Sequence, residues 1–279
     1  MTRRNSPPVL GAALDVEHLE LHRRWVLEHQ RDLEIQDFID IETLLGDWRP
    51  IADAARKLLD GHRGRVGIHG PFYGWSIDTQ DPDVREIVKR RLDAGLEALR
   101  AINGEKGGGH MVVHSPSTLW DYNHYDLNSG MRQKQIERVR LCLNDAVRKA
   151  EAMGAVIVIE NCDDTDPAFR VDLARSFESP AVRVSIDTGH ALLAHGTYGA
   201  PPVDAFVNVA GEMLAHVHLQ DADGHGDRHW VMGEGSVPWH AVFRALAKLP
   251  EMPRLMIELN DLSRIPEAAA WLERQGLAV

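Results

Sequence analysis

The chain has 279 residues, 44% of them hydrophobic, and a net charge of −11 from 31 basic and 42 acidic side chains. That is enough apolar material for one large core, while the acidic balance argues against nucleic acid or an anionic membrane as partner, since phosphates attract basic surfaces. No run reaches the eighteen or so apolar residues of a membrane span, and "MTRRNSPPVLGAAL" carries two arginines without the apolar core of a signal peptide.

Short apolar, β-branched runs alternate with amphipathic helical patterns along the chain. The first strand candidates are "VLGAAL" (9–14), "DLEIQDF" (32–38) and "RVGIHG" (65–70). A helix over 81–104 follows, with Asp81 as N-cap and Pro82 at its first position. After "HMVVHS" (110–115), a helix over 133–154 carries Ile136, Val139, Leu143, Ala146, Val147 and Ala150 on one stripe, and Gly154 stops it. The remaining strands are "AVIVIEN" (155–161), "VRVSIDT" (182–188), "LAHVHLQ" (214–220) and "RLMIELN" (254–260), before a last helix in "IPEAAAWLERQGL". The two cysteines, Cys142 in a helical pattern and Cys162 after a strand, do not suggest a disulfide, and a reducing cytoplasm is the expected location.

Eight β-α units without linker, repeat or low-complexity tract predict an α/β fold, a (β/α)8 TIM barrel forming a single domain over residues 1–279. Strands apolar throughout, such as "AVIVI", fit a parallel sheet buried on both faces. A doubly wound open sheet would need a Gly-rich turn between an early strand and its helix. "NGEKGGGH" (103–110) instead precedes a strand.

The C-terminal strand ends carry Glu34, His69, His114, Glu160, Asp187 with His190, His218 and Glu258. In a barrel these ends converge on one mouth. Glu160, Asp187, His218 and Glu258 would repel there unless a divalent cation neutralised them, and their oxygen-rich set suits Mn, Mg, Co or Zn. His216 and His218 share a strand face; His218 lies nearer the mouth, and His216 is expected to be a deeper orienting or core group. His195, His225 and His240 are expected on loops or the surface.

"IHGPF", "VVHSP", "IEN", "SIDTGHA", "HVHLQD", "DRHWVMGEG" and "IELN", in this order, resemble the xylose isomerase-like barrel superfamily, which includes sugar phosphate isomerases/epimerases and endonuclease IV. The epimerase branch implies one metal on Glu160, Asp187, His218 and Glu258, with both glutamates shuttling the proton and His190 and Arg228 contacting the sugar. It implies a metal-dependent sugar or sugar phosphate isomerase/epimerase that transfers a proton through a metal-stabilised enediolate, with a carbohydrate as its small-molecule partner. The endonuclease IV branch instead implies a zinc cluster on His69, His114, Glu160, Asp187, His190, His218, Asp227, His229 and Glu258, and phosphoester hydrolysis.

The N-terminal third separates the two. "GAALDVEHLEL" stands where endonuclease IV carries a "GAHVS"-like DNA-contacting loop, and Glu34, as an added carboxylate near the mouth, suits sugar hydroxyls better than phosphates. His69, His114, Asp227 and His229 are then expected to line the substrate pocket or hold additional metal. Trp120, with Tyr73, Trp75 and Tyr122, would stack on a sugar or cover the mouth, and "GEG" (233–235) would turn the backbone back toward a helix near Pro238. Arg132 and Arg228 are the candidates for a substrate phosphate, and assembly into a homo-oligomer stays open.

Overall fold

The computed structural model describes residues 7–125 and 130–279; Arg3 and Arg4 of the N-terminal segment quoted above lie outside them. Eight parallel strands close into a barrel in chain order, with β1 (Gly11–Leu14) pairing both β2 (Leu33–Ile35) and β8 (Arg254–Ile257). Between these lie β3 (Val66–His69), β4 (His110–His114), β5 (Val156–Glu160), β6 (Val182–Asp187) and β7 (Leu214–Leu219). The outer layer comprises α1 (Val16–Glu28), α2 (Ile41–Leu45), α3 (Arg49–Leu58), α4 (Pro82–Asn103), α5 (Leu119–His124) and α6 (Met131–Met153) in the first half. It continues with α7 (Pro167–Arg175), α8 (Thr188–Tyr198), α9 (Val203–Ala210), α10 (Trp239–Leu246) and α11 (Ile265–Arg274). Among the described residues, no helix is long and apolar enough to cross a membrane. Cys142 and Cys162 are both free thiols.

Local chemistry sets the helix boundaries. Asp81 caps α4 by accepting from the Asp83 and Val84 N–H groups, with Pro82 at the first position, where no helical donor is needed. Gly154 ends α6 in the left-handed conformation, φ 66°, which glycine adopts without a Cβ clash. The second strand stops earlier than its apolar pattern predicts. Asp37–Ile39 forms a 3-10 turn, and Asp37 accepts from the Val16 N–H at 2.9 Å, drawing the chain out of the sheet after Ile35.

Apolar side chains fill the space between strands and helices, with Leu92, Leu96 and Leu99 of α4 and Val139 and Leu143 of α6 fully buried. The barrel interior is different. Where branched apolar layers usually fill such a barrel, Glu34 and His110 form one buried hydrogen-bonded pair and Ser185 and His216 another. Gly67 makes room for them, because a Cβ there would stand 2.2 Å from the His110 ring. Gly67→Ala is therefore expected to destabilise the fold by roughly 1–3 kcal/mol through overpacking, read as a lower midpoint of urea unfolding. An unchanged midpoint would show that the ring can move aside.

Candidate active site

Parallel pairing aligns the ends of neighbouring strands, placing His114 beside Glu160 and Asp187 beside His218 in register. Donor atoms of Glu160, Asp187, His218 and Glu258 lie within 4.8 Å of one another, as do those of His69, His114 and Glu160 and those of His190, Asp227 and His229. The sequence-predicted metal and pocket residues thus meet at one mouth, around a cavity of about 510 Å³ lined by His69, His114, Glu160, His190, Asp227, His229 and Glu258.

Hydrogen bonds fix the orientation of the imidazoles. His69 Nδ1 bonds to the Gly70 carbonyl at 2.9 Å, turning Nε2 to within 3.8 Å of Glu160 Oε2. His190 Nδ1 bonds to the Asn161 carbonyl at 2.8 Å, leaving Nε2 3.3 Å from Asp227 Oδ2. His218 spans two environments, with Nδ1 3.0 Å from Glu160 Oε1 and Nε2 2.9 Å from Glu34 Oε1.

These contacts also set the protonation balance. Burial works against a charge on His218, but Glu258, Glu160 and Glu34 outweigh it and hold the imidazole well above its usual range. Burial also opposes the charge of Glu160, yet His218 holds this carboxyl below its ordinary value. At Glu258 burial prevails over His218 and His229 and, with the Glu160 charge, raises the carboxyl. Burial lowers His114 to about 3 against the pull of Glu160, whereas His229, despite burial, rises to about 9 through its bond to Asp227 and the nearby Glu258.

Three amides support the cluster. Gln36 donates to Glu258 Oε1 at 2.6 Å. Asn161 donates to the Asp187 carbonyl at 3.1 Å and accepts from its N–H at 2.8 Å, tying the end of β5 to that of β6. Gln220 donates to both Asp187 oxygens and to Asp227. The sequence reading did not single them out. Gln220 was signalled by alternation, since His216, His218 and Gln220 fall on one strand face. Asn161 was not, because it follows Glu160 on the opposite side.

Four residues depart from the sequence expectation. Glu34 is the middle residue of β2 and lies fully buried under His218, not at the mouth among substrate contacts. Trp120 is 70% exposed on α5, stacked on His124, and does not line the cavity. Arg228 turns away to Asp223, 3.0 Å distant, because that carboxylate lies close by in the same loop. Arg132 pairs with Asp166 and Asp172, so neither arginine is free for a phosphate at the mouth. Tyr73 does line the cavity. His216 lies beneath His218, as its strand position predicts, while His225 and His240 are exposed and His195 bonds to the Ala200 carbonyl.

Two buried anchors hold the loops that carry these groups. Asp221 Oδ1 accepts from the Ala222 and Val237 N–H groups, and its Oδ2 from Gly233 N–H and Trp239 Nε1. A two-residue bridge between Asp221 and Trp230 closes the loop bearing Asp227 and His229. Gly233 sits at φ 92°, within the "GEG" turn that precedes α10. On the loop after β5, Asp164 accepts from Ser115 Oγ and Cys162 N–H and pairs with Arg170 Nε at 3.0 Å, both side chains being fully buried.

Residues 33–275 match the xylose isomerase-like TIM barrel family, and the chain belongs to that family. Among proteins it resembles, the uncharacterized protein MJ1311 of Methanocaldococcus jannaschii is 23% identical over 69% of this chain, and the match spans 64% of that protein. The structure of a D-tagatose 3-epimerase-like protein superposes with a TM-score of 0.71 at 20% identity, covering 95% of this chain and 96% of that one. The TTHB071 protein of Thermus thermophilus, soaked with ZnCl2, gives 0.66 at 20% identity, with the same shares of the two chains covered. At these identities the two structural likenesses establish the fold.

Removing one partner of the loop anchor isolates a charge. Asp164→Ala leaves Arg170 buried and unpaired, and is expected to cost about 3–5 kcal/mol, measured by urea unfolding. A loss below about 1 kcal/mol, the scale of an exposed pair, would mean that water reaches Arg170.

Proposed function

We propose that the protein is a divalent-metal-dependent sugar isomerase or epimerase, with Glu160 and Glu258 as its proton-transfer groups. The observation that carries this reading is that both glutamates line one cavity and offer donor atoms within 4.8 Å of those of Asp187 and His218. The donor set fits a cation: Glu160 Oε2 is buried without a hydrogen-bond partner, and three carboxylates crowd around one imidazole. Glu160, Asp187, His218 and Glu258 would hold the ion. The name of the D-tagatose 3-epimerase-like protein supports a sugar as the substrate class.

When bound, the cation supplies Lewis-acid polarisation of a sugar carbonyl and neighbouring hydroxyl. One glutamate takes the proton from the carbon beside the carbonyl. Delivery of a proton from the other glutamate to the opposite face of that carbon epimerises, whereas return of the abstracted proton to the neighbouring carbon isomerises. Gln36 orients Glu258 by donating to Oε1. His190, His229 and Asp227 surround the cavity as polar partners for sugar hydroxyls.

A second reading, a multi-zinc phosphoesterase, is favoured by one feature. The His69–His114–Glu160 and His190–Asp227–His229 groups also bring donor atoms within 4.8 Å of one another, and Glu160 is shared between the first of them and the central four. Metal stoichiometry separates the readings: one equivalent, unaffected by alanine at His69, His114, Asp227 or His229, supports proton transfer. Three zinc equivalents that fall with those substitutions support hydrolysis.

Chelator-stripped protein should gain thermal stability when Mn²⁺ or Zn²⁺ is returned, by roughly 2.7 kcal/mol at about a hundredfold excess over Kd. Asp187→Ala should lose most of that gain, and a wild-type melting temperature indifferent to every divalent ion would argue against metal dependence.

With a turned-over ketose in D₂O, deuterium should appear on a carbon adjacent to the carbonyl. Glu160→Gln and Glu258→Gln should each lower turnover by about 10²–10⁴-fold, with metal content measured alongside. Cleavage of an abasic-site oligonucleotide, with no deuterium entering any ketose tested, would overturn the reading.

A further inference from the structure

We infer that Glu34 is a positioning residue that fixes the tautomer and orientation of His218, leaving its Nδ1 lone pair directed at the metal position. The inference rests on the metal-dependent reading and concerns a side chain buried below the cavity.

As a metal ligand the imidazole must be neutral, with one N–H and one lone pair. Glu34 Oε1 lies 2.9 Å from His218 Nε2 and, as a carboxylate, can only accept, so the proton belongs on Nε2. The remaining nitrogen, Nδ1, then points its lone pair toward Glu160 Oε1 at 3.0 Å and Glu258 Oε2 at 3.4 Å. In this ligating form three acceptors face one another, and a cation between them offsets their repulsion. The Glu34 bond therefore selects the form of His218 that can ligate.

Glu34 is itself held. Its Oε2 accepts from His110 Nε2 at 2.8 Å, and His216 Nε2 approaches to 3.1 Å, out of line for a hydrogen bond. His216 is braced in turn by Ser185 Oγ, 2.8 Å from its Nδ1. All of these side chains are fully buried, so water cannot replace a missing partner. The carboxylate is thus fixed between His110 on one side and His218 on the other. A carboxylate behind a metal-bound imidazole both orients the ring and raises its basicity, and losing such a partner typically weakens metal binding 10–100-fold.

Glu34→Gln tests this with almost no change in shape. An amide offers one acceptor oxygen and an N–H₂ group, so it cannot accept from His110 and His218 at once. One ring must shift its proton, and a proton moved to His218 Nδ1 blocks the ligand position.

Chelator-stripped wild type, Glu34→Gln, Glu34→Asp and Ser185→Ala would be titrated with Co²⁺ against a competing chelator. Circular dichroism would monitor folding, and the visible Co²⁺ spectrum would report the ligand field. Glu34→Gln should bind Co²⁺ about 10–100-fold more weakly and with an altered spectrum. Glu34→Asp should recover part of the affinity, and Ser185→Ala, which removes the hydroxyl bonded to His216, should stay within about threefold of wild type.

Glu34→Gln within twofold of wild type and spectrally unchanged would overturn the assignment, as would a Ser185→Ala loss as large as that of Glu34→Gln. If Glu34→Gln does not fold, Glu34→Ala is titrated in its place and judged by the same twofold criterion. A wild type that binds no Co²⁺ refutes the metal-dependent reading itself, which is distinct from a wild type and Glu34→Gln that bind alike.

Discussion

An ionised carboxylate taken out of water is several kcal/mol unfavourable unless partners replace its hydration. This barrel buries Glu34, Glu160, Asp187 and Glu258 together near one end. Much of the surrounding structure is explained by that concentration of charge. Asp187 receives the His190 N–H and the Gln220 amide, Glu258 receives Gln36, and Glu34 receives His110 and His218. Glu160 keeps one oxygen without a donor. That oxygen, Oε2, lies 3.8 Å from His69 Nε2 in the cavity lining, where a cation would relieve it.

How much of this was legible in the sequence follows from which interactions are local. Strand alternation and the convergence of parallel strand ends sufficed to bring Glu160, Asp187, His218 and Glu258 together, because both rules act through the backbone alone. The same rules failed at Glu34. "DLEIQDF" reads as seven extended residues, but the Asp37 bond to the Val16 N–H ends the strand at Ile35 and leaves Glu34 a layer deeper. That contact links residues 21 apart, and no period in the sequence encodes it.

Arg228 and Trp120 were misjudged for a related reason. Their surroundings depend on how a loop folds on itself. Asp223 precedes Arg228 by only five residues, and the ion pair it forms was hidden because the sequence does not say which way a loop side chain turns. The supporting amides illustrate the complementary difficulty. Asn161 works through main-chain groups of the next strand, so its role depends on strand order, whereas Gln220 extends a visible alternation.

The long loop after β7 separates anchoring from function. Asp221 gathers three backbone N–H groups and the Trp239 indole at the base, while Asp227 and His229 stand toward the tip. Closure of the loop thus depends on a buried side chain that takes no part in lining the cavity. Evolution could therefore exchange tip residues between Asp223 and Trp230, and with them the chemistry offered to a ligand, while the entry and exit of the loop remain in place. A barrel built this way can change what it recognises without relearning how to fold.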